Sequence, residues 1–387
     1  MTILFFVRLF YPHGGGVERH VLEISKRLIK NGHKVIIVTE EIPKPYNINY
    51  HSASQDAKMM GNENLTNRFW TSQNDDGIKV YRIPVGKNNF FKKFRIWGWL
   101  FAHKNLINNA DIVHAHDVFF WYFPFRFLYP SKLAYVTFHG WETTFPPSKK
   151  AIFVRKLSEK LAFGNICVGE FIARWYGTRP DYITYGGVDV RLAGVMASRA
   201  QPATSEVRKR GGKKIKIILI GRFEEDIGIS IYVAALDALK KMKVEFEFEA
   251  YGEGVLKKNL QEYGDVYSNT QAAIDKAITE ADIVFASSYL TILQVMAAKR
   301  LVCSVYDNPL KKDYLTMAPF VKWIIIADSG EALAEKIINI FERLPRLPAG
   351  RQVAYNPRND IEQAYEWAKE QTWRKVTDMY LKLWKSK

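Results

Sequence analysis

An apolar run from Ile3 to Phe10 passes through Pro12-His13-Gly14-Gly15-Gly16-Val17-Glu18 into a strongly amphipathic helix pattern, and this junction constrains the fold more than any other stretch. Val17, Val21, Ile24 and Leu28 recur at helical spacing. Glu18, Arg19, Glu23, Lys26 and Lys30 fill the opposite face, and Gly32 supplies the stop. Three glycines between a strand and a helix let the backbone approach a ligand with no β-carbon in the way, and the first helical turn offers unpaired N–H groups to an anion. The string is not the G-x-G-x-x-G of nicotinamide enzymes, and no acidic residue stands in the expected place after a second strand to hold a ribose. Taken alone, the glycines also fit a plain tight turn.

A chain of 387 residues suits two domains of ordinary size, and its 48% apolar and 25% charged residues allow a sizeable core. The opening segment from Met1 to Arg8 reads as a buried first strand rather than a leader, because Arg8 interrupts a short apolar run and no small-residue cleavage site follows. No stretch is long and charge-free enough to cross a bilayer, so the expectation is a soluble or peripheral protein, either cytoplasmic or on the inner face of the cell membrane. Cys167 and Cys303 each lie inside an apolar run, which suits two buried thiols.

The formal net charge of +16 calls for a partner. Nucleic acid is disfavoured, since no helix-turn-helix, zinc-finger or RNP-type string focuses the charge. Anionic lipid is the other candidate: segments 90–101 and 119–129 mix Lys and Arg with Phe, Trp and Leu, the composition of an element lying in a membrane interface. The same aromatics fit a core with the bases on its solvated face.

Strand-like runs alternate with helical patterns along the whole chain, which predicts an α/β protein with parallel sheets covered by helices. The first half holds strands at Ile3–Phe10, Lys34–Thr39, Ile78–Pro84, Asp111–His116, Ala134–Phe138, Asn165–Val168 and Tyr182–Tyr185, with a polar excursion from Glu41 to Asp76. The second half places them at Ile215–Ile220, Glu245–Tyr251, Asp282–Ala286, Leu301–Tyr306 and Trp323–Ala327. The expected organisation is an N-terminal Rossmann-like acceptor domain over residues 1–196, a linker at 197–214, a donor domain at 215–357, and one long helix, Asp360 to Trp384, crossing back to the first domain. Ligands of two facing doubly wound units are expected at the carboxyl ends of the strands, in the cleft between them.

With these pieces placed, the chain resembles the GT-B glycosyltransferases of family 4, retaining enzymes that use nucleotide sugars. The resemblance rests on Gly-Gly-Val-Glu-Arg-His at 15–20, Asp-Ile-Val-His-Ala-His at 111–116, Thr-Phe-His-Gly at 137–140 and Tyr-Gly-Gly-Val-Asp at 185–189. Gly221-Arg222, Gly252-Glu253-Gly254, Ala281 to Phe285 and the terminal Trp373–Trp384 pattern continue it in register.

The resemblance implies a donor diphosphate cradled by amides of Gly15 and Gly16 and by Arg222, with Gly252, Glu253 and Gly254 near the base. It also implies that His139 stabilises charge over the donor sugar. His116 is expected on the acceptor side, and Glu142, three residues after His139, is expected from that spacing alone to orient an acceptor hydroxyl. Two departures stand out. The family's Lys aligns with Ile227, and its pair of Glu is reduced to a single Gln294 that would meet the ribose; amides around Leu290 and Thr291 are expected to replace part of the lost phosphate grip. A metal at His114, His116, Asp117 and His139 is not expected, and no cofactor beyond the nucleotide sugar. The expected activity is transfer of a sugar from a nucleoside diphosphate to a lipid-linked or polysaccharide acceptor at the cytoplasmic membrane face. A catalytically inactive nucleotide-binding module is the alternative.

Overall fold

A computed structural model describes residues 1–42, 72–73, 77–140, 145–189, 214–268, 270–343 and 357–386. The chain divides into two compact units: Met1–Gly186 together with Trp373–Lys387, and Gly187–Thr372.

The first unit is built on strands β1 (Thr2–Val7), β2 (Lys34–Glu40), β3 (Ser72–Gln73), β4 (Lys79–Ile83), β5 (Ile112–His116), β6 (Leu133–Phe138), β7 (Asn165–Val168) and β8 (Tyr182–Thr184). They lie in the order β3-β4-β2-β1-β5-β6-β7-β8, all parallel except the short β3 against β4. Ile3 to Phe6 are fully buried, as befits a central strand covered by helices on both faces. Winding runs outward from β1 through β2 to β4, then restarts at β5 on the other side of β1, so the crevice at the carboxyl ends of β1 and β5 is the natural ligand site of this sheet.

The last helix, Trp373–Lys385, belongs to this unit and packs on the Gly16–Lys30 helix. Its buried residues Trp373, Val376, Thr377, Tyr380, Leu383 and Trp384 recur every three to four positions and form one apolar stripe.

The second unit carries β9 (Ile215–Ile220), β10 (Phe246–Tyr251), β11 (Asp265–Tyr267), β12 (Ile283–Ala286), β13 (Leu301–Val305) and β14 (Ile325–Ala327), all parallel, in the order β11-β10-β9-β12-β13-β14. Its direction of winding reverses between β9 and β12. Ile217, Leu219, Tyr232, Leu236, Phe248 and Phe285 centre the core.

The long terminal helix expected from Asp360 to Trp384 is two helices, Pro357–Glu370 and Trp373–Lys385, interrupted at Gln371 and Thr372. The first of them packs on the Tyr289–Ala297 helix of the second unit, and the backbone N–H of Val188 donates to the Gln371 carbonyl at 2.7 Å to close that unit. No glycine or proline marks the break. Strands β3 and β11 were not anticipated either; both are two or three residues long, too short for an alternation to register. The expected linker lies outside the described residues except for Lys214, as does most of the polar excursion.

The two aromatic-basic segments divide. Phe90 is 71% exposed, and Phe91, Phe94 and Phe101 are also exposed on or beside the Lys92–Ala102 helix, with the Lys93 ammonium 4.7 Å from the Phe90 ring centre. In the second segment Phe119, Trp121, Tyr122 and Phe125 are core, and only Phe127 and Leu128 stand out in the solvent. Cys167 and Cys303 are buried free thiols, and burial pushes the Cys167 thiol up to about 12.

Candidate functional site

In the first unit, Gly15 caps the Gly16–Lys30 helix with an extended backbone. A Cβ at Gly15 would lie 2.3 Å from a Glu18 carboxylate oxygen, the flexible end of a side chain that can swing aside, so the contact marks how closely Glu18 folds over the loop. Glu18, which helical periodicity assigns to the solvated face, is instead buried, and it accepts from or pairs with His13 Nδ1 at 2.7 Å. Glu18 occupies the third helical position, where an acidic side chain turns back toward the helix start. The helix end expected to receive a phosphate therefore already faces a carboxylate of its own chain. The sequence reading also passed over Glu40, an acid that does end the second strand. Lys92 Nζ at 2.7 Å and Arg8 Nε at 3.8 Å neutralise it.

Beneath this loop four histidines gather. His114 and His116 point from β5, His139 follows β6, and His20 comes from the first helix. The His20 and His139 rings meet edge to face at 4.7 Å, and His116 Nδ1 lies 2.8 Å from His139 Nε2. A polar chain runs through the rest: Trp384 Nε1 to His114 Nδ1 at 3.0 Å, His114 Nε2 to Thr137 Oγ1 at 2.8 Å, Thr137 to Tyr380 Oη at 2.8 Å, and Tyr380 to His20 Nε2 at 3.0 Å. An indole N–H only donates, so His114 accepts at Nδ1 and, being neutral, donates from Nε2. Burial holds all four imidazoles well below their ordinary value, His20 at about 3, so they are uncharged at neutral pH.

The remaining pair resolves in the same way. His116 Nε2 is buried with no hydrogen-bond partner among the described residues. A bare acceptor there costs less than a bare N–H, so the favoured tautomer has His116 Nδ1–H donating to His139 Nε2. His139 then carries its proton on Nδ1. The backbone N–H of His139 is fixed by Asp117 Oδ1 at 2.9 Å, and Asp117 itself takes a left-handed φ of 61°, which Asp tolerates. Among the described residues no group of three or more His, Cys, Asp or Glu is placed to hold a metal. Glu142 lies outside the described residues.

In the second unit the loops after β9, β10 and β11 are laced together at their carboxyl ends. The Gly221 N–H donates to Tyr251 O at 3.1 Å, Gly252 N–H to Tyr267 O at 3.1 Å, and Phe223 N–H to Glu253 O at 2.9 Å. Gly252 is required here, because a Cβ would sit 1.8 Å from the Gly221 carbonyl oxygen. Arg222 follows directly, its side chain 59% exposed and held by Asp226 at 2.8 Å. Glu253 pairs with Lys257 at 3.3 Å.

Ile227, at the position of the family's Lys, gives its carbonyl to Ser287 Oγ at 2.8 Å and so ties the β9 loop to the end of β12. Sequence reasoning missed Lys311. It is only 2% exposed, and its ammonium has no hydrogen-bond partner among the described residues. A Cβ on Gly228 would lie 3.1 Å from that Nζ, so the ammonium sits directly beneath the loop. Burial pulls its pKa down, opposed by the carboxylates of Asp307, Asp226 and Glu225.

The helix after β12 is already capped. Tyr289 N–H donates to Tyr314 Oη at 2.8 Å, Thr291 N–H to Ser288 Oγ at 3.3 Å, and Ile292 N–H to Ser288 O at 2.9 Å. These amides, expected around Leu290 and Thr291 to grip phosphate, are thus largely spent within the chain. Gln294 is buried and its amide donates to Asp275.

Residues 14–191 match the Glycosyltransferase Family 4 model. The chain is 23% identical over 273 residues to the phosphatidylinositol N-acetylglucosaminyltransferase gpi3 subunit of Schizosaccharomyces pombe, a match covering 67% of this chain and 52% of that protein. The chain thus spans about half the length of the curated relatives it matches. Among solved structures, a glycosyltransferase from Rickettsia africae superposes with a TM-score of 0.66 at 18% identity, covering 100% of this chain and 98% of that one. HepE of Anabaena, solved with UDP and glucose, gives 0.63 at 13% identity and 98% coverage of both chains. The two doubly wound parallel sheets have the GT-B fold of these solved glycosyltransferases, and the match to the Glycosyltransferase Family 4 model lies within residues 14–191.

Proposed function

We propose that this chain is a retaining glycosyltransferase that moves a sugar from a nucleoside diphosphate sugar to a lipid-linked or polysaccharide acceptor at the cytoplasmic face of a membrane. The observation that carries the reading is Arg222: an exposed guanidinium, countered by a single Asp226, at the carboxyl end of β9 beside the winding reversal of its sheet. A diphosphate accepts two parallel N–H donors from such a fork and would displace the carboxylate. The HepE structure with UDP, and the phosphatidylinositol in the yeast relative's name, favour a nucleotide donor and a lipid-linked acceptor.

In the first unit, His139 supplies a neutral Nδ1–H donor. Directed at the leaving phosphate, it stabilises the charge that grows as the C1–oxygen bond lengthens. The acceptor oxygen bonds to C1 on the face the phosphate leaves, and a phosphate oxygen takes the acceptor proton. No nucleophilic carboxylate is then needed. The exposed Phe90, Phe91 and Phe94 around Lys93 suit an anionic membrane surface.

A second reading, a nucleotide-binding module without turnover, is favoured by Ile227 in place of the family's Lys and by the capped amides at 289–292. Calorimetric titration with UDP, GDP and ADP, followed by an assay for hydrolysis or transfer from the matching nucleotide sugar, separates the two. Binding with turnover supports the transferase, and binding without turnover toward any acceptor supports the module. No binding of any of the three removes both.

A further inference from the structure

A buried charge without a partner lies under the loop that follows β9. Lys311, the third residue of the helix Pro309–Thr316, is 2% exposed, and its ammonium makes no hydrogen bond among the described residues. Gly228, left-handed with a φ of 89°, lays bare backbone over it, since a Cβ there would lie 3.1 Å from Nζ. Three carboxylates bear on this ammonium, those of Asp307, Asp226 and Glu225. Glu225 accepts from the Ser230 hydroxyl at 2.7 and 2.9 Å, and Asp307 from the Asn308 amide at 2.8 Å. Asp226 is held instead by Arg222 Nη2 at 2.8 Å, and its side chain is only 20% exposed. It belongs to the turn Glu225–Ile227 that Gly228 ends, so one half-buried carboxylate feels both an exposed cation and a buried one.

We propose that Lys311 is a positioning residue of the donor site that acts through Asp226: as a nucleoside diphosphate takes the Arg222 guanidinium, the displaced Asp226 carboxylate turns inward and pairs with the Lys311 ammonium. The proposal rests on the donor-site reading given above. Two costs disappear together. A carboxylate left beside Arg222 would repel the incoming phosphates, and a buried ammonium without an acceptor is a standing penalty in the free protein. The pair given up contributes little, because Arg222 is 59% exposed and water screens it. The pair gained lies out of water, where a charge-assisted hydrogen bond is strong, and the desolvation of the ammonium is already met in the free fold. Lys311 thus serves the diphosphate without contacting it.

The test is calorimetric titration of the full chain with whichever of UDP, GDP or ADP it binds, with the matching nucleoside as control and thermal unfolding of every variant. Lys311→Met should weaken the diphosphate about five- to tenfold, leave the nucleoside unchanged, and raise the unfolding midpoint of the free protein, a combination that loss of packing alone does not produce. In an Asp226→Asn background the same substitution should change diphosphate affinity less than about twofold, because the carboxylate that links the two cations is gone.

Binding should also take up protons, as Lys311 acquires a counter-ion. At pH 8, 9 and 10 the phosphates are already ionised, so titration in buffers of differing ionisation enthalpy should show uptake by the wild type that both Lys311→Met and Asp226→Asn lack. The Asp226→Asn arm serves where Lys311→Met does not fold. Unchanged or tighter diphosphate binding by Lys311→Met, persistence of its full loss in the Asp226→Asn background, or equal proton uptake by wild type and variants overturns the proposal while the donor site stands. Failure of the wild type to bind any of the three nucleotides overturns the donor-site reading and this proposal with it.

Discussion

Acid should unfold the first unit at a pH that ordinary surface histidines would not notice. His20, His114, His116 and His139 are held neutral by burial, each below the ordinary value of 6.5. Between that value and the folded one, the unfolded chain binds protons that the folded chain refuses, so stability is whole above about pH 6.5 and falls as the pH drops. At pH 5.5, one unit below the unfolded value, each imidazole withdraws about 1.4 kcal/mol, and four withdraw on the order of 5 kcal/mol, comparable to the whole stability of a small domain. The assay is urea unfolding at pH 7.5 and 5.5, followed by tryptophan fluorescence, since Trp373 and Trp384 sit in the cluster. The midpoint for the first unit should fall steeply while that of the second moves little. His20→Phe, which removes one titrating group, should reduce the pH dependence by about a quarter. A first-unit midpoint that shifts by less than the equivalent of about 1 kcal/mol would refute the reasoning, because the imidazoles would then be accepting protons in place.

Other expectations follow from single contacts. Gly252→Ala drives a methyl into the Gly221 carbonyl and should cost the second unit about 2–3 kcal/mol, read as a lower denaturation midpoint; an unchanged midpoint would mean the loops part freely. Lys311→Met removes a buried ammonium and should raise second-unit stability at pH 7 by about 1 kcal/mol. Because the folded pKa of Lys311 is depressed, wild-type stability should rise with pH toward the ordinary lysine value, and the variant should lose that slope. Arg222→Met should weaken binding of a nucleoside diphosphate about 10- to 100-fold and leave the nucleoside alone unaffected, measured by calorimetry; equal loss for both would place the guanidinium elsewhere. Phe90→Ser with Phe94→Ser should reduce co-sedimentation with anionic liposomes several-fold at low salt, and sedimentation equal to wild type would discard that surface.

Much of the architecture was legible because parallel strands announce themselves as short apolar runs: Asn165–Val168 and Ile215–Ile220 were located to the residue. Pattern fails where burial is decided at long range. Nothing local separates Trp121, fully buried, from Phe127, 75% exposed, since both stand in one aromatic-basic segment. The same limit hid His20, whose partner Tyr380 lies 360 residues away. Glu18 misled for a different reason: helical periodicity assumes that the first turn is like the rest, whereas side chains there fold back over the helix end.

The seating of Trp373–Lys385 in the first unit dictates an order of birth. Tyr380 and Trp384 complete the polar chain through His114 and His20, and both follow the whole second unit in sequence. On the ribosome, the amino-terminal sheet must therefore wait, its histidines wet and its crevice unsealed, while all 186 residues of the intervening unit emerge and settle. The first unit is thus the last to finish folding, and a nascent chain cut short before the Trp373–Lys385 helix would leave that unit unfinished however well the other had formed.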